Sequence, residues 1–358
     1  MKTELVAPLA DVTCCQYVTE FHPPAAADGA CRLQPGDVLD DRFVITEVIS
    51  RSGMALIYKA QDLHNGNADV ALKVPHMEFE SDAGFFTRFQ REEEIGLQLN
   101  HPYVVKFIAV TTPKSRPYIV TEYLRGCTLA HLMEAMSPLP EKDAFKIASL
   151  LCEALQYLHD NGVVHRDLKP HNVMIGCDGT IRLLDFGVAN ARTLRRVTFA
   201  NFTPAMGTPD YMAPEQVKGK RGDARTDIYG LGVMLYEMLT GKLPFEGDSL
   251  LAIMNAHVLG DPEPLRKLNP AISPQAEEIV LHTMERDPAK RHQSARALRA
   301  ELDNSVGVPV TGRCERVELA APAKAKYRAY RTVVLALVLP VIVPTAIAIW
   351  LWLRTSGH

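Results

Sequence analysis

Residues 163–175 read VVHRDLKPHNVMI, and residues 181–189 read IRLLDFGVA. In these two stretches apolar runs flank a dense set of ionisable and amide side chains. They are His165, Arg166, Asp167, Lys169, Asn172 and, thirteen residues beyond Asn172, Asp185. A lone polar loop of this kind occurs in many chains, so its meaning depends on what surrounds it.

The surroundings are those of a globular protein. The chain has 358 residues, 47% hydrophobic and 23% charged, enough for one large domain or two smaller ones. A formal net charge of -3 gives no bulk signal for a nucleic-acid partner. The seven cysteines are scattered, odd in number and form no C-x-x-C pair. That pattern suggests neither a zinc site nor a disulfide framework and predicts reduced thiols. The N-terminal MKTELVAPLADV lacks the long apolar core of a secretory signal.

Working outward, residues 1–40 read as an irregular extension around Pro23-Pro24 and an alanine run. RFVITEVI, LIYKA, DVALKVP, VVKFIAVTT and YIVTEYL are strand-like, and HNGNAD between two of them is a turn signal. FFTRFQREEEIGLQLN carries Phe85, Phe89, Ile95 and Leu99 at helix-compatible spacing. After residue 128 the pattern is mainly helical: EKDAFKIASLLCEALQYLHDNG, DIYGLGVMLYEMLTG, SPQAEEIVLHTMER and SARALRAELD. The first two should stop at Gly162 and Gly241. The expectation is an α+β chain with a β-rich lobe followed by a larger helical lobe.

On these residues the chain resembles the protein kinases, in particular bacterial Hanks-type serine/threonine kinases. The resemblance rests on His165-Arg166-Asp167, Lys169, Asn172 and Asp185-Phe186-Gly187 in order, and covers residues 41 to 303. It implies a bilobal kinase fold, with a small lobe over 41–124 and a helical lobe over 125–303. It implies transfer of the γ-phosphate of ATP to Ser/Thr hydroxyls of proteins, with Mg2+, or alternatively Mn2+. Asp167 would orient the substrate hydroxyl and take its proton, Lys169 would face the γ-phosphate, and Asn172 and Asp185 would be metal ligands, as their hard oxygens suit. VALK places Lys73 as the phosphate-binding lysine with Glu92 as its partner, leaving Glu93 and Glu94 solvated. Ala71, Glu122 and Leu124 would line the adenine site, with Thr121 guarding the rear of the pocket. GTPDYMAPE resembles the end of an activation segment, with Thr208 near Asp167 and Lys169, Glu215 paired with Arg291, and Asp227 bracing the catalytic loop.

The loop ISRSGMALIYKA departs from the family's pattern. The glycine places of G-x-G-x-x-G fall on Ser50, Ser52 and Ala55, while Gly53 matches an extra glycine frequent in the bacterial branch. Ile49, Ser50, Arg51, Ser52, Gly53, Met54, Ala55, Leu56 and Ile57 would cover the nucleotide, with Ile57 over the adenine. Serine and alanine are the smallest replacements, so weakened ATP binding is expected rather than lost chemistry. The alternative is a pseudokinase scaffold, supported only by this loop. Arg166 would pair with a phosphorylated threonine of the activation segment, Thr203 first and Thr198 next, with Thr193 a further candidate.

The C-terminal part reads differently. Residues 304–331 form a basic linker, and 332–353 contain VVLALVLPVIVPTAIAIWLWL, 21 residues without a charge, enough to span a ~30 Å hydrocarbon layer. Lys324, Lys326, Arg328 and Arg331 precede it and only Arg354 follows. The positive-inside rule then predicts a single-pass helix in the inner membrane, with the kinase domain cytoplasmic and 354–358 as a short external tail. Expected partners are protein substrates, membrane lipid around the helix and a second copy for trans-autophosphorylation.

Overall fold

The computed structural model describes residues 33–51, 54–80, 82–185 and 209–315. The N-terminal strands form a meander: β1 (Val38–Leu39), β2 (Phe43–Arg51), β3 (Ala55–Asp62), β4 (Ala68–Pro75) and β5 (Ile119–Glu122) pair antiparallel in that order. One face is a core of Phe43, Ile45, Leu56, Tyr58, Val70, Leu72, Tyr118 and Val120. The alternation of strand side chains then puts Ile57, Ala71, Lys73 and Thr121 on the other face. Their register agrees: Ile57 opposes Lys73, and Ala71 opposes Thr121.

Between β4 and β5 lie α1 (Met77–Glu80) and α2 (Ala83–Gln98). Asp82 caps α2, accepting from the N–H groups of Gly84 and Phe85 at 2.8 and 3.0 Å. Such a cap is worth about 1 kcal/mol. The buried stripe is Phe85, Phe89, Glu92 and Gly96, a helical repeat that brings one carboxylate inward. Gly96 is required by close approach, because a Cβ there would lie 2.5 Å from the Phe107 ring.

Beyond residue 125 a small sheet, β6 (Gly126–Thr128), β7 (Val173–Gly176) and β8 (Ile181–Leu183), sits among helices. These are α3 (Leu129–Met136), α4 (Glu141–Asp160), α5 (Pro214–Val217), α6 (Ala224–Thr240), α7 (Leu250–Leu259), α8 (Leu265–Leu268), α9 (Pro274–Thr283) and α10 (Ala295–Asp303). Their core centres on α4 and α6, with Leu151, Leu155, Leu231 and Leu235 wholly buried. As expected, Gly162 and Gly241 follow the ends of α4 and α6 in the left-handed region, at φ +73° and +72°.

The structure differs from the sequence expectations in several places. VVKFIAVTT is not a strand: Val104 and Phe107 form isolated bridges, and only Ile108 and Lys106 exchange hydrogen bonds with β5. Reduced thiols are also corrected, because Cys127 and Cys177 are disulfide-bonded while Cys152 and Cys314 are free. Cys127 opposes Ile175, so Cys177 is its diagonal neighbour on the same sheet face. Sequence spacing hides that proximity. Glu93 is not free in solvent but pairs with Lys114 at 2.5 Å. Among the described residues no helix is long and apolar enough to cross a membrane. The expected extension up to residue 32, the linker from 316 and the span at 332–353 lie outside the described residues.

Candidate active site

The site begins at Lys73, on the face of β4 away from the sheet core. Its Nζ donates to Glu92 Oε1 at 2.6 Å and to Asp185 Oδ1 at 3.0 Å. Glu92 comes from α2 and is buried; Asp185 follows β8 in the helical lobe. One ammonium therefore ties the sheet, its helix and the second lobe together. Burial favours the neutral amine, but the two carboxylates outweigh it and Lys73 stays charged with its pKa raised. Burial likewise works to raise Asp185, and the Lys73 charge overrides it, so Asp185 is held below the ordinary carboxylate range. In Glu92 burial wins over the attraction of Lys73, and its pKa is raised.

The second part is the loop between α4 and β7. Within it Arg166 has φ +63°, a left-handed conformation that costs a non-glycine residue about 1–3 kcal/mol; beyond β8, Asp185 has φ +34°. The loop is held there by Asp227 of α6, which is 1% exposed. Asp227 accepts from the N–H of His165 at 2.9 Å and of Arg166 at 2.7 Å, and meets His159 Nε2 at 2.7 Å. The C=O of Arg166 accepts from Gln216 at 2.9 Å. His165 links the two chemical segments. Its Nδ1 accepts from the Asp167 N–H at 3.3 Å, which makes Nε2 the protonated nitrogen that donates to Leu184 C=O at 3.0 Å.

This bracing positions three functional side chains. Asp167 Oδ2 accepts from Lys169 Nζ at 2.8 Å and Asn172 Nδ2 at 3.2 Å. Among the described residues no donor reaches its other oxygen, Oδ1. Asn172 Nδ2 also donates to the Asp167 C=O at 2.7 Å, which turns its amide oxygen outward. Leu184 N–H donates to Asn172 C=O at 2.8 Å, so Asn172 and Asp185 sit on adjoining segments. An outward amide oxygen beside a carboxylate with one oxygen unclaimed by Lys73 is a donor set that suits a hard divalent cation.

The predicted nucleotide cover is partly brought together. Ser50 opposes Ile57, and Ile57 opposes Lys73, so all three line the same face as Ala71 and Thr121. Arg51 opposes Leu56, and Leu56 belongs to the sheet core, so these two side chains point away from Lys73. Strand alternation takes their side chains off the nucleotide face and leaves their backbone groups for the expected cover. Ala55 is buried opposite Pro75, and Ile49 and Met54 are half-buried; Ser52 and Gly53 lie outside the described residues. Glu122 spends its side chain on the Lys106 N–H at 3.0 Å and on Arg182, and Leu124 packs on the large core. Thr193, Thr198, Thr203 and Thr208 also lie outside the described residues.

Glu215 and Arg291 form the expected pair, bidentate at 2.8 Å on both arms, with Thr226 also donating to Glu215. Gln216, His159 and Arg221, whose C=O accepts from Arg166 Nε at 3.1 Å, were not singled out from the sequence. Only Gln216 left a signal, three residues after Ala213, whose N–H it accepts at 2.9 Å.

A lysine locked between two carboxylates of different lobes, beside a braced Asp-Lys-Asn loop, defines the class. Residues 43–302 match the family model described as "Protein kinase domain", and the chain belongs to the protein kinase family. It is 38% identical over 269 residues to the serine/threonine-protein kinase PknB of Mycobacterium leprae, covering 74% of this chain and 43% of that protein. It is 34% identical over 267 residues to the serine/threonine-protein kinase PrkC of Bacillus subtilis, covering 75% and 41%. The chain thus spans less than half the length of these curated relatives. Among solved structures it resembles Rad53 1-466 in complex with AMP-PNP, with a TM-score of 0.60, 26% identity and coverage of 72% and 64%. The family implies the use of ATP and of a divalent metal.

Proposed function

We propose that the chain is a membrane-anchored serine/threonine protein kinase, transferring the γ-phosphate of ATP to Ser/Thr hydroxyls of proteins. The observation that carries this reading is Lys73 bonded at once to Glu92 and Asp185. That bond makes a pocket in which one positive charge is fixed where a triphosphate would lie. The kinase names of PknB and PrkC support the serine/threonine assignment.

In this mechanism Lys73 holds the nucleotide's phosphates, and Glu92 fixes the lysine. Asp167 receives the substrate hydroxyl through Oδ1 and takes its proton as the oxygen attacks the γ-phosphorus and the bond to the β-phosphate oxygen breaks, releasing ADP. Lys169, already beside that carboxylate, neutralises charge on the transferred group. Asn172 and Asp185 would hold the divalent ion, Mg2+ in this reading with Mn2+ as the alternative. That ion supplies neutralisation of the phosphate oxygens when bound. Ile57 and Ala71 cover the adenine, and the backbone after Glu122 meets its edge.

Arg166 lies beside Arg221, and burial together with that neighbour lowers its pKa. Two close guanidiniums favour an anion, which supports pairing with a phosphorylated threonine at Thr203 or Thr198. The charge-free run at 332–353 supports the anchor, with a cytoplasmic kinase domain and pairing of copies in the membrane.

The test is incubation of the full chain with ATP and Mg2+, followed by phosphosite mapping beside Asp167→Ala. Phosphothreonine in the wild type alone is expected; silence on itself and on generic substrates would return the pseudokinase. Deleting 332–358 should release the protein from membrane fractions, and continued association would sink the anchor.

A further inference from the structure

Far along the chain from the kinase motifs, three potential metal ligands converge. His282 sits near the end of α9, Glu301 lies on α10, and His292 lies on the segment joining them. Each offers one ligand atom, all within 4.8 Å of one another. His292 Nε2 is 2.8 Å from Glu301 Oε2, and His282 Nδ1 is 3.8 Å from the same oxygen. The imidazole rings are stacked at 3.9 Å between centroids. His292 is buried, while His282 and Glu301 are half-buried, so an ion could enter from solvent.

Two features make this more than a hydrogen-bonded cluster. Thr283 Oγ1 donates to the Ile279 C=O at 2.7 Å, so a lone pair of that hydroxyl is what faces His292 Nδ1 at 3.4 Å. This arrangement favours hydrogen on Nδ1 and turns the Nε2 lone pair toward the Glu301 carboxylate. A proton bridges that 2.8 Å contact, and a divalent ion would take the proton's place as the pair opens. A second shell that orients the imidazole in this way is a regular part of metal sites. The surrounding charge also suits a cation. Arg313, the neighbouring positive group, is paired with Glu278 and Glu285, which offsets its charge beside the imidazoles.

We propose that His282, His292 and Glu301 form a site for a divalent transition metal of the Zn2+ class, which clamps α9 to α10 where the kinase domain leads into the segment from residue 304. Two imidazoles and one carboxylate leave a coordination position for water. The nitrogen donors separate this site from the all-oxygen preference of Mg2+. Nothing in the phosphoryl-transfer chemistry uses these residues, and the site would act on the fold and on the linker's attachment.

The test is titration of the full chain with Co2+, a spectroscopic stand-in for Zn2+, in excess Mg2+ and nucleotide. One equivalent should bind with visible d–d absorption, Zn2+ should displace it, and Zn2+ should raise the Tm. His282→Ala and His292→Ala should abolish the absorption, and Glu301→Gln should weaken binding by about 10-fold or more. Asp185→Asn, at the kinase metal position, should leave it intact. If the buried His292→Ala variant does not fold, the half-buried His282→Ala and Glu301→Gln variants decide. No stoichiometric binding overturns the proposal. So does a signal that persists in His282→Ala and Glu301→Gln, which would belong to thiols or to another site.

Discussion

The loop at residues 165–172 and the end of the β2–β3 hairpin both border Lys73, yet they are held in opposite ways. The first is over-determined. The left-handed backbone of Arg166 persists because Asp227, Gln216 and His165 satisfy the loop's polar groups from three directions. The second is held, among the described residues, mainly through the strand ladder, with Ser50 opposite Ile57 and Ala55 opposite Pro75, and it has serine or alanine where the family keeps glycine. Chemistry needs atoms fixed to fractions of an ångström, and buried hydrogen bonds supply that. A cover over phosphates needs only close backbone approach, which small side chains still allow. The divergence therefore fell where the demand was weaker.

The strongest way to break the comparison is Asp167→Ala. Kinase turnover should fall by about 10²–10⁴-fold, with the Tm nearly unchanged because Asp167 is half-exposed, Lys169 can reach solvent and Asn172 keeps its bond to the residue-167 C=O. Turnover near wild type would show that another group takes the proton.

Next is Arg291→Ala, which leaves Glu215 buried without its partner. Unfolding free energy should drop by about 3–5 kcal/mol in denaturant titration. The same pair gives a pH signature. Burial tends to raise Glu215, but the Arg291 hydrogen bonds and charge win, and its pKa lies below 4.5. A depressed carboxylate contributes stability above its unfolded value that is lost as pH falls through the folded one. Wild-type stability should therefore decline as pH drops below about 4.5, and Glu215→Gln should flatten that decline. An unchanged slope would mean the pair contributes nothing net.

Asp227→Ala should cost about 1–3 kcal/mol for each buried N–H it orphans, and it should lower kcat more than it raises KM, because the strained loop relaxes. A variant with full kcat would show that the loop holds itself.

The smallest effect sharpens the other side. Ser50→Gly with Ser52→Gly should lower the KM for ATP by about 5–30-fold, the equivalent of ~1–2 kcal/mol, with kcat unaltered. An unchanged KM would show that the cover was never limiting.

Much of this site was legible in the sequence, for a physical reason. Asp167, Lys169, Asn172 and Asp185 lie within nineteen residues of one another, so local order carries their geometry. Lys73 and Glu92 were matched through the family resemblance of VALK and of LNHP, and the structure shows that the helix turns only Glu92 of three consecutive glutamates inward. Helix ends at Gly162 and Gly241 followed from backbone freedom alone.

Other properties depended on which segments fold against each other. The side of the sheet that Leu56 and Arg51 occupy was settled by pairing, since a one-residue difference along a strand reverses the face. The disulfide-bonded state of Cys127 and Cys177, the Lys114 partner of Glu93 and the meeting of His282, His292 and Glu301 join residues that no local pattern relates. Sequence by itself determined the chemical parts, because residue type and short spacing fix what a loop can do. Only the tertiary structure decided their neighbours, because contacts across long loops depend on packing that no window of sequence contains.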